Sequence, residues 1–93
     1  MYPLSQVRTR TEPATFCFSV HADDDVSVLP RVTGVLAKRS LTPERMIATR
    51  FQQNGGELHV DFQVEDLNQQ TAELIANEMR RMVTARGVLI SEK

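Results

Sequence analysis

Tryptophan is absent from this 93-residue chain, tyrosine and cysteine occur once each, and glycine and proline four times each. A lone thiol, Cys17, excludes an internal disulfide, and with it the disulfide-stapled secreted class, and fits a reducing compartment. No apolar run approaches the ~20 residues that cross a bilayer, and the amino terminus carries no hydrophobic signal core. The expected location is the cytoplasm, with no membrane contact. Charge of one sign is also scarce: 11 Lys and Arg against 12 Asp and Glu leave a formal net charge of −1. Binding to a phosphate backbone draws on clustered Lys and Arg, so a nucleic-acid partner is not expected. A phosphate-cradling loop and a convincing nucleophile–base pair are missing too, which argues against an enzyme.

What is present is ordinary globular composition, 41% hydrophobic and 25% charged. A chain this short buries somewhat over ~60% of the surface its unfolded form exposes, enough for one core. Small cores often gain stability by pairing, so a homodimer is expected. Residues 1–14 hold two prolines, scattered charge and no periodicity, and read as a flexible tail ahead of a single domain over 15–93.

From Thr15 the pattern changes. Phe16, Phe18 and Val20 alternate with Cys17, Ser19 and His21, the period of a strand covered on one side. After the acidic turn Ala22–Asp25, a helix is predicted from Val26 or Ser27, with Pro30 tolerated in its first turn. Leu29, Val32, Val35 and Leu36 supply its apolar face, and Pro43 stops it near Leu41. Met46–Gln53 reads as a second strand, Asn54-Gly55-Gly56 as a hairpin turn, and Glu57–Val64 as a third strand with Leu58, Val60, Phe62 and Val64 inward. A second helix is predicted from an Asn68 cap to about Arg86, with Leu74, Ile75, Met79, Met82 and Val83 as its stripe and Gly87 as its end. Val88–Ser91 gives a short last strand. A right-handed crossover from strand one to strand two leaves a gap that strand three fills. The predicted fold is an α+β ferredoxin-like βαββαβ sandwich, its antiparallel sheet ordered four-one-three-two, with both helices on one face and a polar face opposite.

Several residues could carry chemistry. Asp23, Asp24 and Asp25 read first as favourable charge beside the positive end of a helix, and second as an effector or metal contact. Cys17, His21, His59 and Asp61 fall on the polar sheet face, where zinc is conceivable but no ligand spacing calls for it. Arg80, Arg81 and Arg86 form a basic patch in the last turns of helix two, where cations are favoured anyway. An RNA-recognition sheet would need Phe16, Phe18 and Phe62 outward, against their alternation. Gly34, inside helix one, costs roughly 1 kcal/mol of propensity against alanine, so a close approach is expected there, within the fold or to a second subunit.

This order of elements, with Leu29-x-Arg31-Val32-x-Gly34-x-Leu36-x-x-Arg39 followed by Ser40, Leu41 and Thr42, resembles the ACT domain, a small ligand-binding module that regulates amino-acid metabolism. It is most similar to the small regulatory subunit of acetolactate synthase in its short, single-domain isozyme II form, over about Thr15 to Ser91. The resemblance implies a non-catalytic subunit that dimerises and activates the separate acetolactate synthase catalytic subunit of branched-chain amino-acid biosynthesis. Thiamine diphosphate, magnesium and flavin would belong to that partner, leaving this chain with no cofactor and no metal. It also implies an effector cleft for a branched-chain amino acid at Asp24, Asp25, Val26, Ser27, Val28 and Leu29, completed across the dimer interface by Thr42, Met46, Ile47 and Ala48. Gly34 is assigned to dimer packing. Effector-binding members usually carry glycine where this chain has Ser27, and valine-inhibited ones tend to carry asparagine at the positions of Asp24 and Thr42. The serine side chain and the added negative charge weigh against amino-acid feedback. The second implied reading is a stand-alone ACT sensor of a small ligand.

Overall fold

Period-two alternation makes Phe16, Phe18, Val20 and Ala22 the buried face of β1 (Ala14–Asp23) in a computed structural model of the protein. The structure describes residues 13–93, so the tail expected over residues 1–14 lies, except for its last two, outside the described residues. The chain continues through α1 (Val28–Ala37), β2 (Arg45–Phe51), a single 3₁₀ turn (Gln53–Gly55), β3 (Glu57–Leu67), α2 (Gln69–Arg80) and β4 (Ala85–Glu92). All strands pair antiparallel in the order β2-β3-β1-β4. That is the predicted ferredoxin-like topology. Among the described residues, no helix is long and apolar enough to cross a membrane.

The core lies between the sheet and the helices. Leu58, Val60, Phe62 and Val64 of β3 meet the buried face of β1, and the rings of Phe18 and Phe62 stack with centroids 4.8 Å apart. From α1 come Val28, Val32 and Leu36, spaced four apart on one stripe. Leu29, predicted on that stripe, is instead 38% exposed. The three valine and leucine positions fill the stripe, and Leu29 turns past its edge.

In α2 the buried stripe is Ala72, Ile75, Ala76 and Met79, at i, i+3, i+4 and i+7. Of the residues predicted for it, Leu74 and Val83 are solvent-exposed. The two alanines let α2 settle against β4 and β1. Asn68 caps this helix as expected, its Oδ1 accepting the Thr71 N–H at 2.8 Å. The helix ends six residues earlier than the apolar spacing predicts. Arg81 and Met82 close tight turns onto Glu78 and Met79, Met82 drops into the core, and the Ala85 N–H bonds Met82 O at 3.0 Å to start β4. Gly87 is not a helix stop but a strand residue opposite His21, beside the bulge between His21 and Ala22.

The expected close approach at Gly34 is not made within the chain. A Cβ built there meets nothing within 4 Å, and the residue is exposed on α1. The sheet face without helices is also less polar than its alternation suggests, because Ile47, Phe51 and Leu89 stand on it beside the histidines.

Candidate functional site

The β1–α1 connection begins where β1 leaves the sheet, and three neighbouring elements hold it. The Asp23 N–H bonds Thr84 O at 2.9 Å, and the Asp24 N–H bonds Gly56 O at 3.2 Å. Gly56 has φ 98, and a Cβ on it would come 3.3 Å from the Asp24 Cβ, so the hairpin presses on this turn with bare backbone. Each of the three aspartates has a partner. Asp23 accepts from Arg86 Nε at 2.7 Å. Asp24 Oδ2 accepts from Arg50 Nε and Nη2 at 3.0 and 2.8 Å. Asp25 Oδ1 accepts from the Ser27 hydroxyl at 2.6 Å and the Ser27 N–H at 2.8 Å, and these two bonds hold its carboxyl below the usual carboxylate range. Ser27 is the helix N-cap, but its hydroxyl is turned to Asp25 rather than to the helix.

Thr42, Met46, Ile47 and Ala48 lie elsewhere in the chain. β2 runs antiparallel to β3, with Phe51 opposite Glu57 and Arg45 opposite Gln63. Arg50, bound to Asp24, therefore marks one end of β2, and Thr42 precedes the other. Met46 and Ala48 share the helix-side face with Arg50, whereas Ile47 is on the open face, opposite Asp61. One copy of the chain thus does not bring the two predicted halves of the effector cleft together.

On the open face His21 and His59 are cross-strand partners, their rings stacked 3.9 Å apart at 5°. His21 Nε2 shares a hydrogen bond with Ser19 Oγ at 3.0 Å, and His59 Nε2 with Glu57 Oε1 at 2.9 Å. The ring of Phe51 leans on His59 with centroids 4.6 Å apart. Glu57 also accepts from Asn54 Nδ2 at 2.8 Å and faces Arg86 Nη1 at 3.2 Å. The Asn54 and His59 hydrogen bonds, with the Arg86 charge, lower the Glu57 pKa. Cys17 lies at the far end of the same strand face, its thiol 3.5 Å from Gln63 Oε1. Of the predicted basic patch, Arg86 completes the Asp23–Glu57 cluster, while Arg80 donates to Asn77 and to Val88 O.

A depressed carboxyl pKa contributes stability that is present above the unfolded value, near 4.5, and is lost as pH falls through the lower folded value. Glu57→Gln is expected to lower the melting temperature at neutral pH. Its deficit against the parent should shrink as pH falls below about 4.5. Thermal melts of both proteins across pH check this, and a deficit that persists undiminished in acid would remove Glu57 as the source.

Arg50 and Glu57 are the residues that sequence reasoning missed, while Arg86, expected in the last turns of helix two, lies on β4 instead. The one available signal was Arg50, which shares strand parity with Met46 and Ala48 where an apolar residue would continue the pattern.

The ACT-like domain model matches residues 8–92. No curated protein matches the sequence. Among solved structures, the ACT domain from GTP pyrophosphokinase of Chlorobium tepidum superposes with a TM-score of 0.71 at 11% identity, over 85% of this chain and 99% of that one. A homoserine dehydrogenase from Thiobacillus denitrificans gives 0.72 at 12% identity, over 89% of this chain but only 18% of its own. The C-terminal domain of the MgtC protein from Mycobacterium tuberculosis gives 0.69 at 7% identity, over 92% of this chain and 93% of that one. At these identities the likeness is one of fold, and the family rests on the sequence model, which spans nearly all of the chain. The chain belongs to the ACT-like domain family of small regulatory, ligand-binding modules.

Proposed function

We propose that this chain is a non-catalytic regulatory subunit that dimerises and activates the acetolactate synthase catalytic subunit. The observation that carries the reading is how α1 presents the segment Leu29-x-Arg31-Val32-x-Gly34-x-Leu36-x-x-Arg39. Val32 and Leu36 are spent on the core, while Leu29, Arg31 and Gly34 face outward. The segment thus divides into a structural half and a half free to meet another protein.

The sheet supports self-pairing. β2 is an edge strand, exposed along nearly its whole length, and such edges are ready templates for pairing. A two-fold axis through that edge runs two β2 strands antiparallel and makes an isologous interface. The Arg50 end of one copy then lies beside the Arg45 end of the other. This arrangement brings the Asp24–Leu29 turn of one protomer toward Thr42 and Met46–Ala48 of its partner, the grouping that a single chain lacks.

The turn itself is closed. Asp24 is tied to Arg50 and Asp25 to Ser27, so an incoming amino acid meets engaged carboxylates and a serine side chain. Activation without branched-chain feedback is the expected behaviour. Purified chain mixed with its host's catalytic subunit should raise acetolactate formation about 5–150-fold, the span of a ~1–3 kcal/mol coupling. Added valine, leucine or isoleucine should leave that rate unchanged. Absence of both activation and complex formation would sink the assignment in favour of a stand-alone sensor. Stabilisation by an amino acid without any partner would mark that sensor.

A further inference from the structure

β4 is the second edge of the sheet, on the side away from β2. An edge strand turns the N–H and C=O of every other residue away from its neighbour. The phase on β4 is fixed by the Lys93 N–H, which bonds Thr15 O at 2.8 Å. Counted back along the register, Ser91 and Leu89 bond toward Cys17 and Ser19 of β1, so Val88 and Ile90 turn their backbone groups outward.

The outward Val88 carbonyl is not bare. Arg80, the last residue of α2, reaches over it and donates from Nη2 to Val88 O at 3.1 Å. Its Nη1 donates to Asn77 Oδ1 at 2.8 Å, one turn back on α2, which orients the guanidinium. A cationic fork thus lies across the middle of the β4 edge. The same phase, carried through β1 and β3, turns Met46, Ala48 and Arg50 of β2 outward, and among the described residues no side chain donates to their carbonyls. One edge is open, and the other is covered by a charged side chain.

Without Arg80, β4 is self-complementary. A two-fold axis through Leu89 sets Val88 opposite the second copy's Ile90 in a bonding pair, with Leu89 facing Leu89. The two Val88 carbonyls would accept half of the four hydrogen bonds, and the Leu89 side chains, 64% exposed in the single chain, would cover each other. We infer that Arg80 is an edge guard: by occupying Val88 O it keeps β4 from pairing with β4 of a second copy and confines sheet-to-sheet self-association to β2. Two guanidiniums brought onto one short stretch of edge also repel. The confinement to β2 rests on the self-pairing proposed for that edge, whereas the guard acts at the opposite edge and needs no acetolactate synthase partner.

Sedimentation velocity of the full chain across protein concentrations tests the guard. Arg80→Ala should raise the self-association constant at least tenfold over the parent. A parent that pairs through β2 should then grow from dimers into tetramers and longer chains, and a parent that does not should stop at dimers. Failure of the guard and failure of β2 pairing therefore read differently. Leu89→Lys added to Arg80→Ala puts two ammoniums across the axis and should restore the parental mass. Asn77→Ala, which frees the guanidinium without removing it, should shift association in the same direction and decides the question if Arg80→Ala does not fold. Parental association of the folded variant at every concentration would overturn the proposal, as would added association that Leu89→Lys leaves in place.

Discussion

Replacing Phe18 with alanine is expected to cost about 3–5 kcal/mol, the range for removing a buried aromatic ring. Phe18 is 2% exposed, occupies the middle of β1 between β3 and β4, and stacks on Phe62. The other large, fully buried side chains of the core are chiefly valines, with Leu36, Ile75 and Met79. β-branched residues have few alternative rotamers, so they cannot flow into the space a lost ring leaves. A domain of this length has roughly 5–14 kcal/mol of total stability. The substitution therefore removes a large part of it and should lower the melting temperature by at least about 12 °C, taking ~4 °C per kcal/mol for a small domain. Leu89→Ala, on the open face, should stay within about 0.5 kcal/mol. Urea unfolding of the two variants and the parent measures both effects. A Phe18→Ala loss under about 1.5 kcal/mol would mean that the Phe18–Phe62 pair does not organise the core.

The contrast between those two positions reflects what the chain made readable. Strands β1 and β3 alternate cleanly because one face is buried and the other is not, so their inward residues could be named from period alone. The topology followed from element order and the handedness of the crossover. The end of α2 did not follow, because Met82 and Val83 continue a helical apolar spacing while the chain already turns at Arg81. Val83 is left in solvent and Gly87 becomes a strand residue. The charged clusters were hidden for a different reason. Asp24 and Arg50 are 26 positions apart, and Asp23 and Arg86 are 63 apart. Sheet register joins them, and local sequence hints at it only through Arg50, which breaks the parity of Met46 and Ala48. The open face depends on the same register, which sets Ile47 and Ser19 beside Asp61.

Gly34 poses a thermodynamic question that the single chain does not answer. A glycine inside an exposed helix costs about 1 kcal/mol against alanine, and no neighbour in the chain requires its bare backbone. It forms the floor of a shallow groove with Pro30, Arg31, Val35, Lys38, Glu78 and Met82. Lys38 and Arg39 both pair with Glu78 along that groove, and the two bonds lower the Glu78 pKa. In one isolated protomer, then, Gly34→Ala should stabilise the fold by about 1 kcal/mol. Gly34→Glu should fold as well, because open space surrounds the position. If the groove receives a second protomer, the glutamate side chain enters the place where backbones meet and adds a charge beside Glu78. Dimer dissociation is then expected to rise at least 100-fold, which at 1.4 kcal/mol per tenfold is about 2.8 kcal/mol, the scale of an interface hot spot. Sedimentation across protein concentrations, with melts at the dilute end, separates the two effects. A monomeric Gly34→Glu with parental dilute-end stability assigns the glycine to self-pairing, whereas unchanged dimerisation would leave its propensity cost without a structural return and move the interface to the β2 edge alone.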